Sequence, residues 1–170
     1  MALTSSVKPF GLRDIKIVPL PSGSPIDLPN AQTMTFKERL TSGEMRGDDA
    51  TQAVVAITDA LEWELEAGGI SLEALAKLTG NTAASAGTTP NRTLTLSAAA
   101  GDAMPYLRIA GRAVGADAGD VICRLYRCKI EALEGTFRDG EFWVSYAKGV
   151  AVSNGSLAVE FVQQETAAAL

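Results

Sequence analysis

The sequence contains no histidine and only two cysteines among its 170 residues. Without histidine, Ser-His-Asp and Cys-His nucleophile systems are excluded, and the commonest metal ligand is missing as well. Cys123 and Cys128 lie on one predicted strand at positions of opposite parity, so we expect their side chains on opposite faces, where they cannot bridge each other. We therefore expect two free cysteines packed as small apolar side chains, and neither metal nor cofactor.

Long hydrophobic runs and an excess of positive charge are also absent. No apolar run approaches the ~18–20 residues that cross a membrane, and the first ten residues lack the apolar segment of a signal peptide. We therefore expect no membrane association and an intracellular site of synthesis. The net charge is −5, and because Lys and Arg make most phosphate contacts, we do not expect specific binding to nucleic acid.

What the chain does have is the alternation typical of β-strands, most clearly over residues 53–67. The apolar side chains at odd positions are Val55, Ile57, Leu61, Trp63 and Leu65, and the carboxylates at even positions are Glu62, Glu64 and Glu66. Asp59 interrupts the apolar set. Because successive side chains on a strand point to opposite faces, this pattern predicts a long strand with one apolar and one acidic face.

The chain shows no repeat and no linker that would divide it. We expect an N-terminal arm over residues 1–13, a single domain over 14–164 and a frayed tail over 165–170. Residues 41–52 are mostly polar and predict a loop, longer than the ~2–5 residues that merely connect two strands. A loop of that length favours a functional contact.

Local signals predict one short helix and two hairpins. Ser71 is a good N-cap and Gly80 a good C-cap, so residues 71–79 predict a helix. The dipeptides 139–140 and 154–155 are Asp-Gly and Asn-Gly, and each suits a tight hairpin turn between apolar runs. Together with the alternating segments, these signals predict an all-β sandwich or barrel with one short flanking helix.

The order of several short motifs resembles the tail tube (major tail) proteins of long-tailed bacteriophages. These motifs are EMRGDD at 44–49, EAGG at 66–69, SLEAL at 71–75, GDV at 119–121, LYRCK at 125–129 and DGEF at 139–142. The resemblance covers most of the chain. It implies a β-sandwich or barrel shared with the tube protein of the type VI secretion apparatus, and a structural role instead of an enzymatic one.

The resemblance also implies an assembly. Subunits form hexameric rings that stack into a hollow tube, through which DNA passes without specific binding. The implied partners are other copies of the chain and the tape measure, tail terminator and distal tail proteins. The implied location is the virion tail, after synthesis in the host cytoplasm. We predict contacts between rings at Glu44, Arg46, Gly47, Asp48 and Asp49. We predict carboxylates that face the lumen at Glu62, Glu64 and Glu66.

Other interpretations remain open at the level of sequence. A type VI-like tube protein would share the same features. Glu62, Glu64 and Glu66 also fit the solvated face of an ordinary antiparallel sheet. Carboxylates two apart on a strand are ~6.5–7 Å apart at the backbone, within the range that glycosidases use, although three in a row fit acid–base catalysis poorly. A β-sandwich ligand-binding module is disfavoured by an aromatic content of only 6%.

Overall fold

A computed structural model gives the fold. It describes residues 8–47, 50–69, 71–115, 119–141, 143–153, 155, 158–164 and 170, with the backbone only at 46–47 and 50–52. The strands are β1 (Pro9–Pro19), β2 (Ile26–Asp27), β3 (Ala31–Gly47), β4 (Ala50–Gly68), β5 (Ala83–Ala86), β6 (Thr93–Leu96), β7 (Leu107–Gly115), β8 (Asp120–Thr136), β9 (Val144–Ala151) and β10 (Val159–Gln164), and the helix is α1 (Leu72–Thr79). Strands dominate these residues, so the predicted all-β class with one short helix is confirmed.

The main sheet is antiparallel and runs in the order β2-β1-β7-β8-β9-β4-β3, while β5 and β6 form a separate two-stranded sheet. One edge of β8 pairs with β7, and its other edge pairs with β10 along its first half and with β9 along its second half. The sheet coils so that β3 returns towards β7. There the Met34 sulfur fills the space that a side chain at Gly111 would occupy.

The core lies inside this coiled sheet. Its buried members are Ile15, Ile17, Leu61, Trp63, Leu65, Leu78, Leu107, Ile109, Leu125, Cys128, Ile130, Ala147 and Ala151. The helix α1 contributes Leu78 to this core. The Ser71 hydroxyl accepts a hydrogen bond from the Ala74 amide at 3.2 Å, and Gly80 ends the helix in the left-handed conformation with φ 76°. The helix predicted over 71–79 is therefore confirmed, together with both of its caps.

A β-bulge in β4 changes which side chains share a face. Arg39 of β3 pairs with Ala60, but the next residue, Leu40, pairs with Thr58, so Asp59 is an extra residue in β4. An extra residue shifts the two-residue alternation by one position. The prediction of one apolar face along residues 53–67 is therefore wrong: Ile57 lies on the face of Glu62, not on the buried face of Trp63.

A second bulge acts in the same way in β8. Ile109 pairs with Leu125 and Leu107 with Cys128, so two residues of β7 span three of β8, with Arg127 at φ 45°. Cys123 and Cys128 consequently both pack in or against the core, and the prediction that they face opposite sides is wrong. The prediction of two free cysteines is confirmed.

The predicted loop over residues 41–52 is also wrong. The pairing of β3 with β4 continues through Glu44–Val54 and Met45–Ala53 to Gly47–Ala50, so these residues form the far end of a long hairpin. Asp48 and Asp49 lie outside the described residues. Thr41, Ser42 and Glu44 are accommodated there because all three side chains are exposed, so burial does not restrict them.

Three further predictions differ from the structure or lie outside it. Residues 9–13, predicted as part of an N-terminal arm, belong to β1, which begins at Pro9 and has Gly11 at φ 81° beside two irregularities in its register with β7. Residues 1–7 are outside the described residues. The predicted hairpin at 139–140 joins β8 to β9, but through the seven-residue connection 137–143. The hairpin at 154–155 is wrong, because β10 pairs with β8. Residues 165–169 of the tail are outside the description.

Candidate assembly surfaces

The distal hairpin is defined as residues 40–47 and 50–58, and its described side chains, at 40–45 and 53–58, are all exposed. β9 pairs with β4 only from Leu61 to Gly68, so beyond that point β4 pairs with β3 alone. From Leu40 to Gly47 the ribbon extends about 23 Å at ~3.3 Å per residue. A two-stranded ribbon without a third strand has little stability of its own, so this element is suited to a partner surface.

Large apolar side chains lie exposed along the distal hairpin. Their exposed fractions are 57% for Leu40, 60% for Met45, 62% for Val54, 58% for Val55 and 65% for Ile57. Directly paired residues share a face, so Met45, Val55 and Ile57 lie on one side, and Leu40 and Val54 on the other. An apolar ribbon of this kind, unburied on both faces, is typical of an interaction site.

The sequence pattern placed Val55 and Ile57 on the apolar face of the long strand, and the contact was predicted at polar residues between 44 and 49. Glu44 is exposed in β3 and pairs with Val54, whereas Arg46 and Gly47 are described only by their backbone, as the end of β3. The one signal for the true arrangement was Asp59, a charged residue in an otherwise apolar set. It marks the bulge that turns Val55 and Ile57 away from the core.

Side-chain contacts lie on both faces of the bulge. On one face the Arg39 guanidinium lies 3.1 Å from the Asp59 carboxylate and 4.0 Å from that of Glu62. On the other face the Thr58 hydroxyl donates a hydrogen bond of 3.3 Å to the Glu38 carboxylate. These contacts are exposed, so each contributes little to stability, but together they identify which side each residue occupies.

Glu62, Glu64 and Glu66 lie together on the outer face of β4, as predicted from their spacing. Their cross-strand neighbours include Lys37 opposite Glu62 and Lys148 opposite Glu64. Partial burial, a hydrogen bond with Glu64 and nearby carboxylates together raise the pKa of Tyr146, which pairs with Glu66. The face therefore carries alternating charge, and its acidic character is moderated by two lysines.

A second group of charges lies on the outer face of the other half of the sheet. The Arg112 guanidinium contacts the Asp14 carboxylate and lies 3.5 Å from that of Asp120, whose side chain is only 3% exposed. The Glu160 carboxylate accepts hydrogen bonds from Arg124 at 3.0 Å and from the Tyr126 hydroxyl at 2.9 Å. These two donors hold the pKa of Glu160 below its usual range. Both groups tie neighbouring strands together.

The described residues offer little for nucleophilic or metal chemistry. Burial raises the pKa of the Cys123 thiol to about 11, and burial also raises the pKa of Cys128, so neither sulfur is a ready nucleophile at neutral pH. Within the same residues no group of three or more Cys, Asp or Glu side chains is arranged to hold a metal ion. No helix in the described part of the chain is long and apolar enough to cross a membrane.

Comparison with known proteins gives a fold and no family. Neither a protein-family model nor a curated protein sequence matches the chain. A chain in the cryo-EM structure of the anti-feeding prophage baseplate, symmetrised six-fold, is similar with a TM-score of 0.48 and 6% identity over 92% of this chain and 97% of that one. A chain in the cryo-EM structure of the anti-feeding prophage tube-terminating cap is similar with a TM-score of 0.53 and 11% identity, over 96% of this chain and all of that one. The protein described here therefore shares its fold with a chain of the anti-feeding prophage cap structure.

Proposed function

We propose that this protein is a structural tail component, and specifically a tail tube subunit that forms hexameric rings stacked into a hollow conduit for DNA. The observation that carries the proposal is the distal hairpin, which exposes Met45, Val54, Val55 and Ile57 on a ribbon that lies beyond the buried core of the sheet. The fold shared with a chain of the anti-feeding prophage cap supports the proposal, because it provides a precedent for this fold in a tube-associated particle.

In this proposal the distal hairpin makes the contact between rings. Glu44 sits among its apolar side chains, and the same segment carries Arg46, Gly47, Asp48 and Asp49 in the sequence. Fully burying a large apolar side chain stabilises by about 1.5–3 kcal/mol, whereas association costs about 4–15 kcal/mol in lost freedom. One hairpin therefore gives weak association, and the simultaneous contacts of a whole ring are needed for stable stacking.

The lumen is proposed to be lined by the outer face of β4, with Glu62, Glu64 and Glu66 facing the DNA. A ring of six subunits carries a formal charge of −30 (6 × −5), and like charge keeps DNA from adhering. Replacing the three glutamates by glutamine is expected to leave assembly intact and to slow the passage of DNA in an infection assay. Unchanged DNA delivery would place these residues outside the lumen.

The partners proposed with this function are further copies of the chain, and the tape measure, terminator and distal tail proteins. A ring-forming subunit of a tube-terminating cap is the second candidate, favoured by the structural similarity to the anti-feeding prophage cap. The two candidates differ in the product of self-assembly. A tube subunit forms stacks of many rings, whereas a cap subunit stops at a single ring.

Shortening the hairpin tests the proposal. Leu40 and Thr58 face each other across β3 and β4, so residues 41–57 can be replaced by Asn-Gly, which closes a two-residue turn. The variant is expected to be a folded subunit that forms no tubes in the electron microscope. The control replaces residues 87–92 between Ala86 and Thr93, a second facing pair, and should assemble as the wild type does. Abundant tubes from the first variant would remove the proposed role of the hairpin.

A further inference from the structure

An aromatic pair lies at the end of the sheet that points away from the distal hairpin. Phe137 and Trp143 belong to the connection between β8 and β9, and their ring centres are 4.0 Å apart at an interplanar angle of 49°. Phe137 is 79% exposed, and among the described aromatic residues only Phe10 is more exposed. We call Phe137 and Trp143 the aromatic end. An aromatic ring left in solvent contributes little to its own subunit, and it favours a contact with another molecule.

The register of the sheet gives the position of the aromatic end. Gly68, the last residue of β4, pairs with Val144, and Val144 pairs with Thr136. The connection 137–143 therefore begins where β4 ends. The turn of the distal hairpin lies at the other end of the same strand, before Ala50. The two surfaces are consequently at opposite ends of β4.

The length of β4 separates the two surfaces within one subunit. Gly68 follows Val54 by 14 positions, and one of these is the bulge residue Asp59. At ~3.3 Å per residue, the strand between them is roughly 40 Å long. Because β4 is continuous over this distance, the distal hairpin cannot fold back onto the aromatic end of its own subunit. A contact between the two surfaces joins different copies of the chain, head to tail.

The aromatic end is fixed in place by its own subunit. Gly135 leaves room for the indole, because a Cβ at that position would overlap the Trp143 ring. The Trp143 carbonyl accepts a hydrogen bond of 2.7 Å from the Gly69 amide, which ties the connection to the end of β4. Trp143 also borders a small cavity together with Leu78 of α1. Phe137 therefore lies against an anchored ring.

The connection that carries Phe137 also has a defined conformation. Gly140 turns the chain with φ 77°, and the Arg138 guanidinium lies 3.5 Å from the Glu141 carboxylate. A cleft of about 250 Å³ opens beside this ion pair, with Thr136 and Val144 among its lining residues. The exposed ring of Phe137 is thus flanked by a recess that can receive side chains of a partner.

The distal hairpin offers chemistry that suits an aromatic surface. Met45, Val55 and Ile57 lie on one of its faces and are 60%, 58% and 65% exposed. The flexible thioether of methionine makes favourable contacts with aromatic rings, and aliphatic side chains pack well on them. Both surfaces are apolar and both are uncovered in the isolated subunit. One contact between copies covers them together.

We propose that the aromatic end is the docking site for the distal hairpin of a second copy of this chain, which deepens and rests on the proposed function. Met45, Val55 and Ile57 of one copy pack on Phe137 of the next. Because the two surfaces differ, each copy accepts one hairpin and presents another. A heterologous contact of this kind does not close on itself along the strand direction, and it adds one ring to the next.

Truncation of the exposed ring tests this inference. Phe137→Ser is expected to raise the concentration needed for tube formation at least about tenfold, measured by sedimentation and electron microscopy. Phe137→Leu keeps an apolar side chain and should retain most of the assembly. Leu94→Ser removes an exposed apolar side chain from the sheet of β5 and β6 and should assemble as the wild type does. Tubes from Phe137→Ser at the wild-type concentration would overturn the inference.

Photochemical cross-linking identifies the occupant of the aromatic end directly. A photoactivatable phenylalanine analogue at position 137 keeps an aromatic ring there, so assembly and folding are preserved. Tubes are grown from a mixture of unlabelled and nitrogen-15-labelled copies, irradiated and digested for mass spectrometry. We expect cross-links between copies that join position 137 to peptides containing residues 40–58. The same analogue at position 94 is the control and should give no cross-link to those peptides.

The outcomes separate this inference from the proposed function. Cross-links that join position 137 only to the aromatic end of another copy would indicate head-to-head pairing and overturn the inference. Tubes whose cross-links from position 137 miss residues 40–58 would overturn it as well, while the proposed function stands. If the wild type forms neither rings nor tubes, the proposed function itself fails.

Discussion

Replacing Ile57 by serine is expected to weaken assembly while leaving the stability of the subunit unchanged. Ile57 is 65% exposed and lies in the distal hairpin, where β4 pairs with β3 alone. Surface substitutions of this kind usually change the free energy of unfolding by less than about 0.5 kcal/mol. A truncation here therefore acts on the contact with a partner and hardly on the fold.

The size of the effect follows from the exposed fraction of the side chain. Complete burial of an isoleucine is worth about 1.5–3 kcal/mol, so covering its exposed two-thirds contributes about 1–2 kcal/mol per contact. That loss corresponds to a reduction of about 5- to 30-fold in the association constant. In a ring the six equivalent contacts act together, so the concentration at which tubes appear should rise by at least this factor.

The assay compares sedimentable protein over a series of concentrations, with thermal unfolding measured on the same samples. Leu94→Ser is the control, because Leu94 is also an exposed aliphatic residue, 40% exposed, in the short sheet of β5 and β6. It should assemble as the wild type does. Normal assembly of Ile57→Ser would refute the reasoning. A fall of several degrees in its unfolding temperature would refute it as well, because the hairpin would then be packed on its own subunit.

Three further predictions concern the subunit itself. In Gly149→Ala the new Cβ would overlap the Lys129 carbonyl oxygen and lie 2.9 Å from its carbon, which should lower the unfolding temperature by about 2–12 °C; an unchanged temperature would contradict the strand packing. Asp120→Ala removes a buried carboxylate from beside the Arg112 guanidinium and should cost about 3 kcal/mol in urea unfolding, and a neutral result would show that this buried pair is dispensable. Burial raises the pKa of Cys123 to about 11, so at pH 8 neither thiol should react quickly with a disulfide reagent until urea is added; fast reaction of the folded protein would contradict their burial.

The sequence predicted best those features whose signals are local. Ser71 and Gly80 act within one helical turn of the residues they cap, so the bounds of α1 follow from the sequence. The alternation of Glu62, Glu64 and Glu66 with Leu61, Trp63 and Leu65 is also uninterrupted, and it gives the correct faces for that half of β4.

Features that depend on the register between distant strands were not predictable in the same way. The bulges at Asp59 and Arg127 each add one residue, and each reverses the faces of the residues beyond it. The charge of Asp59 interrupts an apolar set, but a single charged residue does not by itself predict a shift in register. The polar composition of segment 41–52 indicated a loop, although the segment pairs with the apolar strand around Val55. The contact residues were therefore sought among charges, and the apolar side chains of the hairpin were missed.

The pairing of β10 shows the same limitation. The dipeptide at 154–155 favours a tight turn, and a local reading connects β9 directly to the last strand. β10 instead continues along the edge of β8 that β9 occupies, from Val159 opposite Leu125 to Gln164 opposite Asp120. This arrangement depends on the length of β8, which is long enough to hold two strands end to end on one edge.

Negative-stain electron microscopy of the purified full chain, over a range of protein concentrations, tests the central claim most directly. The proposed function predicts hollow rings with six-fold symmetry, and stacks of such rings as the concentration rises. A protein that stays monomeric at every concentration, with neither rings nor tubes in any field, would contradict it.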